Sequence, residues 1–202
     1  MRPISLLAAP LIGLAILITT GFQSGAGAGP ALPPADFVIA PSGTIIEGKR
    51  HNDTETVLRI DEIGEFSVTY TCPDRNNCQD TMRPFCWAGC NPKRRPVELE
   101  RFREIWPLEV GKKATFQRKR DDGSAVWVHK LKVLDTETVE TALGPVDTFV
   151  FEAKARGTAT SNWRGTEKFW FAPTIGWYVK VEWSDNQGKK GRWDVVSVTP
   201  PG

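Results

Sequence analysis

All four cysteines of the chain fall in one stretch, TCPDRNNCQDTMRPFCWAGCNPKRRP, residues 71–96. Cys72, Cys78, Cys86 and Cys90 follow the spacing C-x5-C-x7-C-x3-C. Thiolates that hold zinc arrive as C-x2–4-C hooks, often with histidine. Only Cys86 and Cys90 approach such a hook, and neither histidine lies near them. A thioredoxin-type centre and a haem attachment site both need C-x-x-C, which is absent. The spacing therefore favours two structural disulfides over a metal or redox centre. Three pairings of four cysteines remain open.

Other reactive residues are few. His51 sits in the polar run KRHND and reads as a solvated turn residue. His129 alternates with Trp127 and Leu131 and reads as partly buried. Neither a G-x-S-x-G nucleophile elbow, nor an H-E-x-x-H zinc helix, nor a glycine-rich phosphate loop occurs. Carboxylate pairs can serve glycoside chemistry, but neither Glu98 with Glu100 nor Asp121 with Asp122 is a specific signal for it. Solvation and turn formation explain them as well. Tryptophan is the distinctive residue type, with eight copies. Trp127, Trp163, Trp170, Trp177, Trp183 and Trp193 lie in or beside candidate strands. Indoles there can fill a core, line an apolar cavity, or stack on sugar rings. The candidate ligand-binding set is Trp106, Trp127, His129, Trp170, Trp177 and Trp183.

Short strands must position these residues. GEFSVTYTC places Phe66, Val68, Tyr70 and Cys72 on one face. AVWVHKLKVLD does the same for Trp127, His129, Leu131 and Val133, and GWYVKVEW for Trp177, Val179, Val181 and Trp183. A period of two with one apolar side predicts half-buried strands. Asp121-Asp122-Gly123, Leu143-Gly144-Pro145 and Ala172-Pro173-Thr174-Ile175-Gly176 read as hairpin turns, with Gly176 free to take φ > 0. Nine or ten strands joined this way give an antiparallel meander. VELERFREI suggests a short helix, with a strand as the alternative, and Pro107 ends it. The cysteine run, with four prolines, reads as an exposed loop or short helix that interrupts the sheet.

The N-terminus reads differently. Residues 4–18 are almost wholly apolar behind Met1-Arg2, and too short for a membrane span. Small residues follow at Ala26-Gly27-Ala28. Residues 1–28 therefore read as a secretory signal peptide, 29–41 as a flexible leader, and 42–202 as one domain. No cysteine lies near the cleavage point, so a lipid-modified N-terminus is not expected. Export suits disulfides. With 26 basic and 24 acidic residues the net charge is +2, which gives nucleic-acid binding no global support.

Three segments resemble a known group: WPLEVGKKATF at 106–116, ETALGPVDTFVFEAKARG at 140–157, and KFWFAPTIGWYVKVEW at 168–183. Their order is similar to that of exported bacterial β-rich proteins of largely uncharacterised function. These are related in architecture to the curled sheets of periplasmic lipoprotein carriers. The resemblance spans 104–198 and leaves out the cysteine run. It implies fold and compartment.

The expectation is an all-β domain, an antiparallel meander curled into a half-barrel or open barrel, with a disulfide-bridged loop insertion at 71–96. It is periplasmic or secreted, non-enzymatic, without cofactor or metal, and without a transmembrane segment in the mature chain. A lipid or other amphipathic ligand, or an envelope protein, would bind the concave face. The alternative is a polysaccharide module using exposed tryptophan. A hydrolase lacks an adequate residue set.

Overall fold

A computed structural model describes residues 29–73, 78–86, 97–119, 125–158 and 161–202. The proposed signal peptide, the turn at Asp121-Asp122-Gly123 and Cys90 lie outside them. Ten strands form one antiparallel sheet. They are β1 (Ile45–Arg50), β2 (Glu55–Gly64), β3 (Ser67–Cys72), β4 (Cys78–Met82), β5 (Lys113–Lys119), β6 (Ala125–Thr141), β7 (Gly144–Gly157), β8 (Arg164–Ala172), β9 (Trp177–Asp185) and β10 (Lys190–Thr199). A single short helix, α1 (Leu99–Arg103), is present among these residues. The spatial order is β4-β3-β2-β1-β10-β9-β8-β7-β6-β5. Every neighbouring pair is antiparallel, and β4 does not pair with β5. The barrel is therefore curled but open.

Alternation fixes the two faces. On β6, Trp127, His129, Leu131 and Val133 point inward; Val128, Lys130 and Lys132 point outward. The partners across β7 follow the same rule, with Ala155, Ala153 and Phe151 inside. A register shift between Val133 and Asp135 lets one long strand continue past the end of β5. Phe149, Phe151, Phe169 and Phe171 form the centre of the inner face, each nearly or fully buried. At the β8–β9 turn, Gly176 adopts φ +72°, and a Cβ there would overlap the backbone of Ile39 and Ala40. Glycine is required twice over at that position.

The cysteine run carries the expected disulfide but departs from expectation in its form. Its first half is not a loop or helix, because Cys78–Met82 forms the terminal strand β4 against β3. Thr69 and Thr81 share a hydroxyl hydrogen bond of 3.0 Å across the pair, and Cys72 and Cys78, directly opposite, form a disulfide. The bridge thus closes a hairpin. Cys86 is also disulfide-bonded.

Between β4 and β5, the sheet's two edges, the described residues 83–86 and 97–112 form a crossing segment on the concave side. Phe85, Phe102, Ile105 and Leu108 fill the interior, all 0–1% exposed. Phe85 adopts φ +59° and stacks on Phe151 with ring centroids 4.2 Å apart. It also meets Phe169, Phe171, Tyr178 and Trp106 at 5.3–5.8 Å. VELERFREI is helical only over α1, where Phe102 packs edge-on against Phe116 at 5.4 Å.

Residues 29–41 lie along one end of the sheet. Thr136 Oγ1 donates to the Pro30 carbonyl at 2.6 Å. Ala35 and Leu108 exchange both backbone hydrogen bonds, at 3.1 and 2.6 Å. The Ala40 N–H donates to the Gly176 carbonyl at 3.0 Å. Phe37 packs against Phe66 and Trp106 at 4.9 and 5.1 Å. No helix among the described residues is long and apolar enough to cross a membrane.

Candidate functional site

The crossing segment does not fill the concave face evenly. It packs tightly under β5–β8 and leaves a cleft of about 580 Å³ beside β1–β4 and β8–β10. Phe85 and Cys86 separate the cleft from the packed half. Tyr70, Trp177, Tyr178, Val181, Trp183 and Trp193 supply most of the wall, with Arg50, Arg83 and Glu167 as its charged groups.

Two glycines shape the aromatic wall. Trp193 of β10 lies across β1, and a Cβ at Gly48 would overlap its indole. The indole Nε1–H reaches β2 and donates to Thr56 Oγ1 at 2.8 Å, while Thr56 Oγ1 donates onward to the Gly48 carbonyl at 3.2 Å. Trp183 of β9 lies in the same way across β10, where a Cβ at Gly191 would overlap it. His51, from the β1–β2 turn, meets the Trp183 ring edge-on at 6.3 Å. Flat indoles at successive strands give an apolar wall that main-chain atoms alone could not.

The polar groups sit around it. Arg83 Nη1 donates to the carbonyls of Glu65 and Phe66 at 3.1 and 3.2 Å. Its Nε is buried without a hydrogen-bond partner. Burial pulls its guanidinium below the ordinary arginine value. Burial also drives the Tyr178 hydroxyl well above the ordinary tyrosine range, so it is neutral at any physiological pH.

No family model and no curated protein matches the chain. Solved structures that it matches include a Bacteroides fragilis protein assigned as exported and as having a YmcC-like fold. Identity there is 17% over 82% of this chain and 99% of that one, with a TM-score of 0.47. The hypothetical lipoprotein YmcC of Escherichia coli matches at 11% identity, over 84% and 87%, with a TM-score of 0.46. A Parabacteroides distasonis protein assigned as a lipoprotein matches at 11%, over 83% and 100%, with a TM-score of 0.45.

Of the six candidate residues, Trp177 and Trp183 line the cleft. Trp106 packs behind Phe85, between Phe37, Phe66 and Phe171. Trp127 lies in the packed half, stacked on Trp163 at 4.1 Å with the Arg118 guanidinium 3.9 Å above its ring. Trp170 points to the outer face, yet is 2% exposed. Lys168 and Lys180 cover its ring, and its Nε1–H donates to Glu137 Oε2 at 2.8 Å.

His129 is sealed in the packed half at 0% exposure. It lies parallel to Phe116, with centroids 5.0 Å apart, and its Nδ1 is 3.9 Å from Cys86 Sγ. Its Nε2 is buried with no hydrogen-bond partner. Burial, and to a lesser degree the Arg118 charge, lowers its pKa from 6.5 to about 3. A side chain so enclosed cannot reach a solute in the cleft.

Sequence reasoning left Tyr70, Arg83, Tyr178 and Trp193 out of the candidate set. Trp193 alternates with Val195 in the last strand, so its inward direction was readable. Arg83 lies in an aperiodic run and carries no such signal. Among the described residues, no group of three or more His, Cys, Asp or Glu side chains is placed to hold a metal. The cleft can hold an apolar body against indoles and an anionic group beside guanidinium.

Proposed function

We propose that this is an exported, non-enzymatic envelope protein that holds an amphipathic ligand in the concave cleft. The observation that carries the reading is the cleft itself, about 580 Å³ walled by Trp177, Trp183 and Trp193 beside Arg50 and Arg83. Its size falls in the range of small-molecule sites, about 300–1,000 Å³. An acyl chain would lie on the indoles, with an acidic head toward the arginines. Secretion is supported by the apolar N-terminal run and by the Cys72–Cys78 bridge, which persists in oxidising compartments. None of the described tryptophans is fully exposed, so the geometry favours a cleft over an open glycan platform.

Titration with the fluorescent fatty acid cis-parinarate tests this. Saturable binding that oleate displaces is expected. Gly191→Ala, which pushes Trp183 from its seat, should weaken binding about five-fold, near 1 kcal/mol. Trp127→Leu, in the packed half, should leave it unchanged. Absence of saturable binding in the wild type, or equal effects of the two variants, would sink the proposal.

A further inference from the structure

The outer face of the sheet divides into two charge regimes. Across β8–β10, opposite charges alternate. Lys168 stands opposite Glu182, Glu182 opposite Arg192, and Lys180 opposite Asp194. Lys180 and Glu182 pair at 2.8 Å, and Arg192 and Asp194 at 2.6 Å. Across β5–β8 three cross-strand pairs are instead like-charged, although Glu152 of β7 stands opposite both Lys132 and Lys168. Lys113 stands opposite Lys132, Lys130 opposite Lys154, and Arg156 opposite Arg164. All six side chains are exposed. Only Lys154 has a carboxylate partner among the described residues, Glu152 at 2.7 Å.

Like charges directly opposite on a sheet repel. Three such pairs in consecutive rows therefore mark a surface whose cations are not there for the fold. Each row is displaced by one strand from the last, so the pairs form a diagonal band two cations wide. Strand spacing and rise make it about 20 Å long. The whole chain carries only +2, so the band is a segregation of charge and not a reflection of composition.

We propose that this band binds a linear acidic polysaccharide, its carboxylates running between the paired cations. The band is narrow and the sheet convex, which suits a chain better than a plane. Among the described residues, none of the large exposed apolar side chains, Val38, Ile63, Val110, Leu143 and Val196, occupies a row of the band to insert into lipid. The proposal stands apart from the cleft, which lies on the opposite face.

Alginate, a linear polyuronate, is the probe, with the full mature chain at about 20 mM salt. Saturable binding that weakens about ten-fold or more by 200 mM salt is expected, because exposed charges are screened. The triple variant K130Q/K132Q/R156Q should bind about ten-fold more weakly and melt no lower than wild type. K189Q/K190Q/R192Q removes the same charge outside the band and should stay within about three-fold of wild type. Four results would overturn the proposal: no alginate binding at low salt, equal losses in both triples, tighter binding to phosphatidylglycerol vesicles, or tighter binding to single-stranded DNA.

Discussion

At the scale of single residues, what surrounds a side chain decides its role more than its type does. Trp183 and Trp193 become a wall because Gly191 and Gly48 leave room for a flat ring. Trp170, of the same type, becomes a covered brace beneath two lysines. His129 is the sharpest case. Its inward direction was legible from the alternation with Trp127 and Leu131. Its complete enclosure was not, because Cys86, which closes over it, comes from a distant part of the chain. The enclosure has a measurable consequence. The folded pKa, about 3, lies below the ordinary 6.5. Between these values the unfolded chain takes up a proton here that the folded chain refuses. Stability from this residue therefore rises with pH across that window and falls on acidification, by roughly 1 kcal/mol per unit. Urea unfolding of wild type and His129→Leu at pH 7.5 and pH 5 gives the test. Acidification should cost the wild type about 2 kcal/mol more than the variant. Parallel losses would show that the imidazole is not held neutral.

Among the elements, the strands were readable and the segment that packs them was not. A period of two marks β3, β6 and β9 in the sequence, and glycine with proline marks the turns between them. Residues 83–86 and 97–108 carry no period of two, since Phe85, Phe102 and Trp106 each meet a different strand in the interior. The cysteine run invited a reading as a surface insertion. The structure instead makes Cys78–Met82 an edge strand and Phe85 the centre of the core. Phe85 contacts β7, β8 and β9 through aromatic rings and divides the packed half from the cleft. Phe85→Ala should therefore cost about 3–5 kcal/mol in chemical denaturation, the range for large aromatic deletions in a core. Val110→Ala, at a side chain 50% exposed, should cost under about 0.5 kcal/mol. A small loss at Phe85 would mean that the crossing segment is an appendage and that the sheet holds itself.

For the whole molecule, the fold class and the turns at Leu143-Gly144-Pro145 and Ala172–Gly176 were legible in the sequence, but not the placement that strand register creates. Each strand's outward lysines and arginines look like an ordinary solvated face when read one strand at a time. Only register places Lys113 against Lys132, Lys130 against Lys154, and Arg156 against Arg164. The same holds for the cleft, since Arg50, Tyr70, Glu167 and Trp193 are brought together from four strands. The charge arrangement also bears on stability. Three repulsive pairs at roughly 0.2–1 kcal/mol each oppose folding at low ionic strength. Salt screens exposed charges within about 10 Å at 0.1 M. Raising sodium chloride from about 10 to about 200 mM should thus stabilise the wild type by about 1 kcal/mol. K130Q/K132Q/R156Q should begin more stable at low salt and gain less than half as much, because one member of each pair is already neutral. Urea midpoints at the two salt concentrations measure both quantities. Identical gains in the two proteins would mean that the six cations are too solvated to feel one another, and the band would then be a pattern in the register without a field.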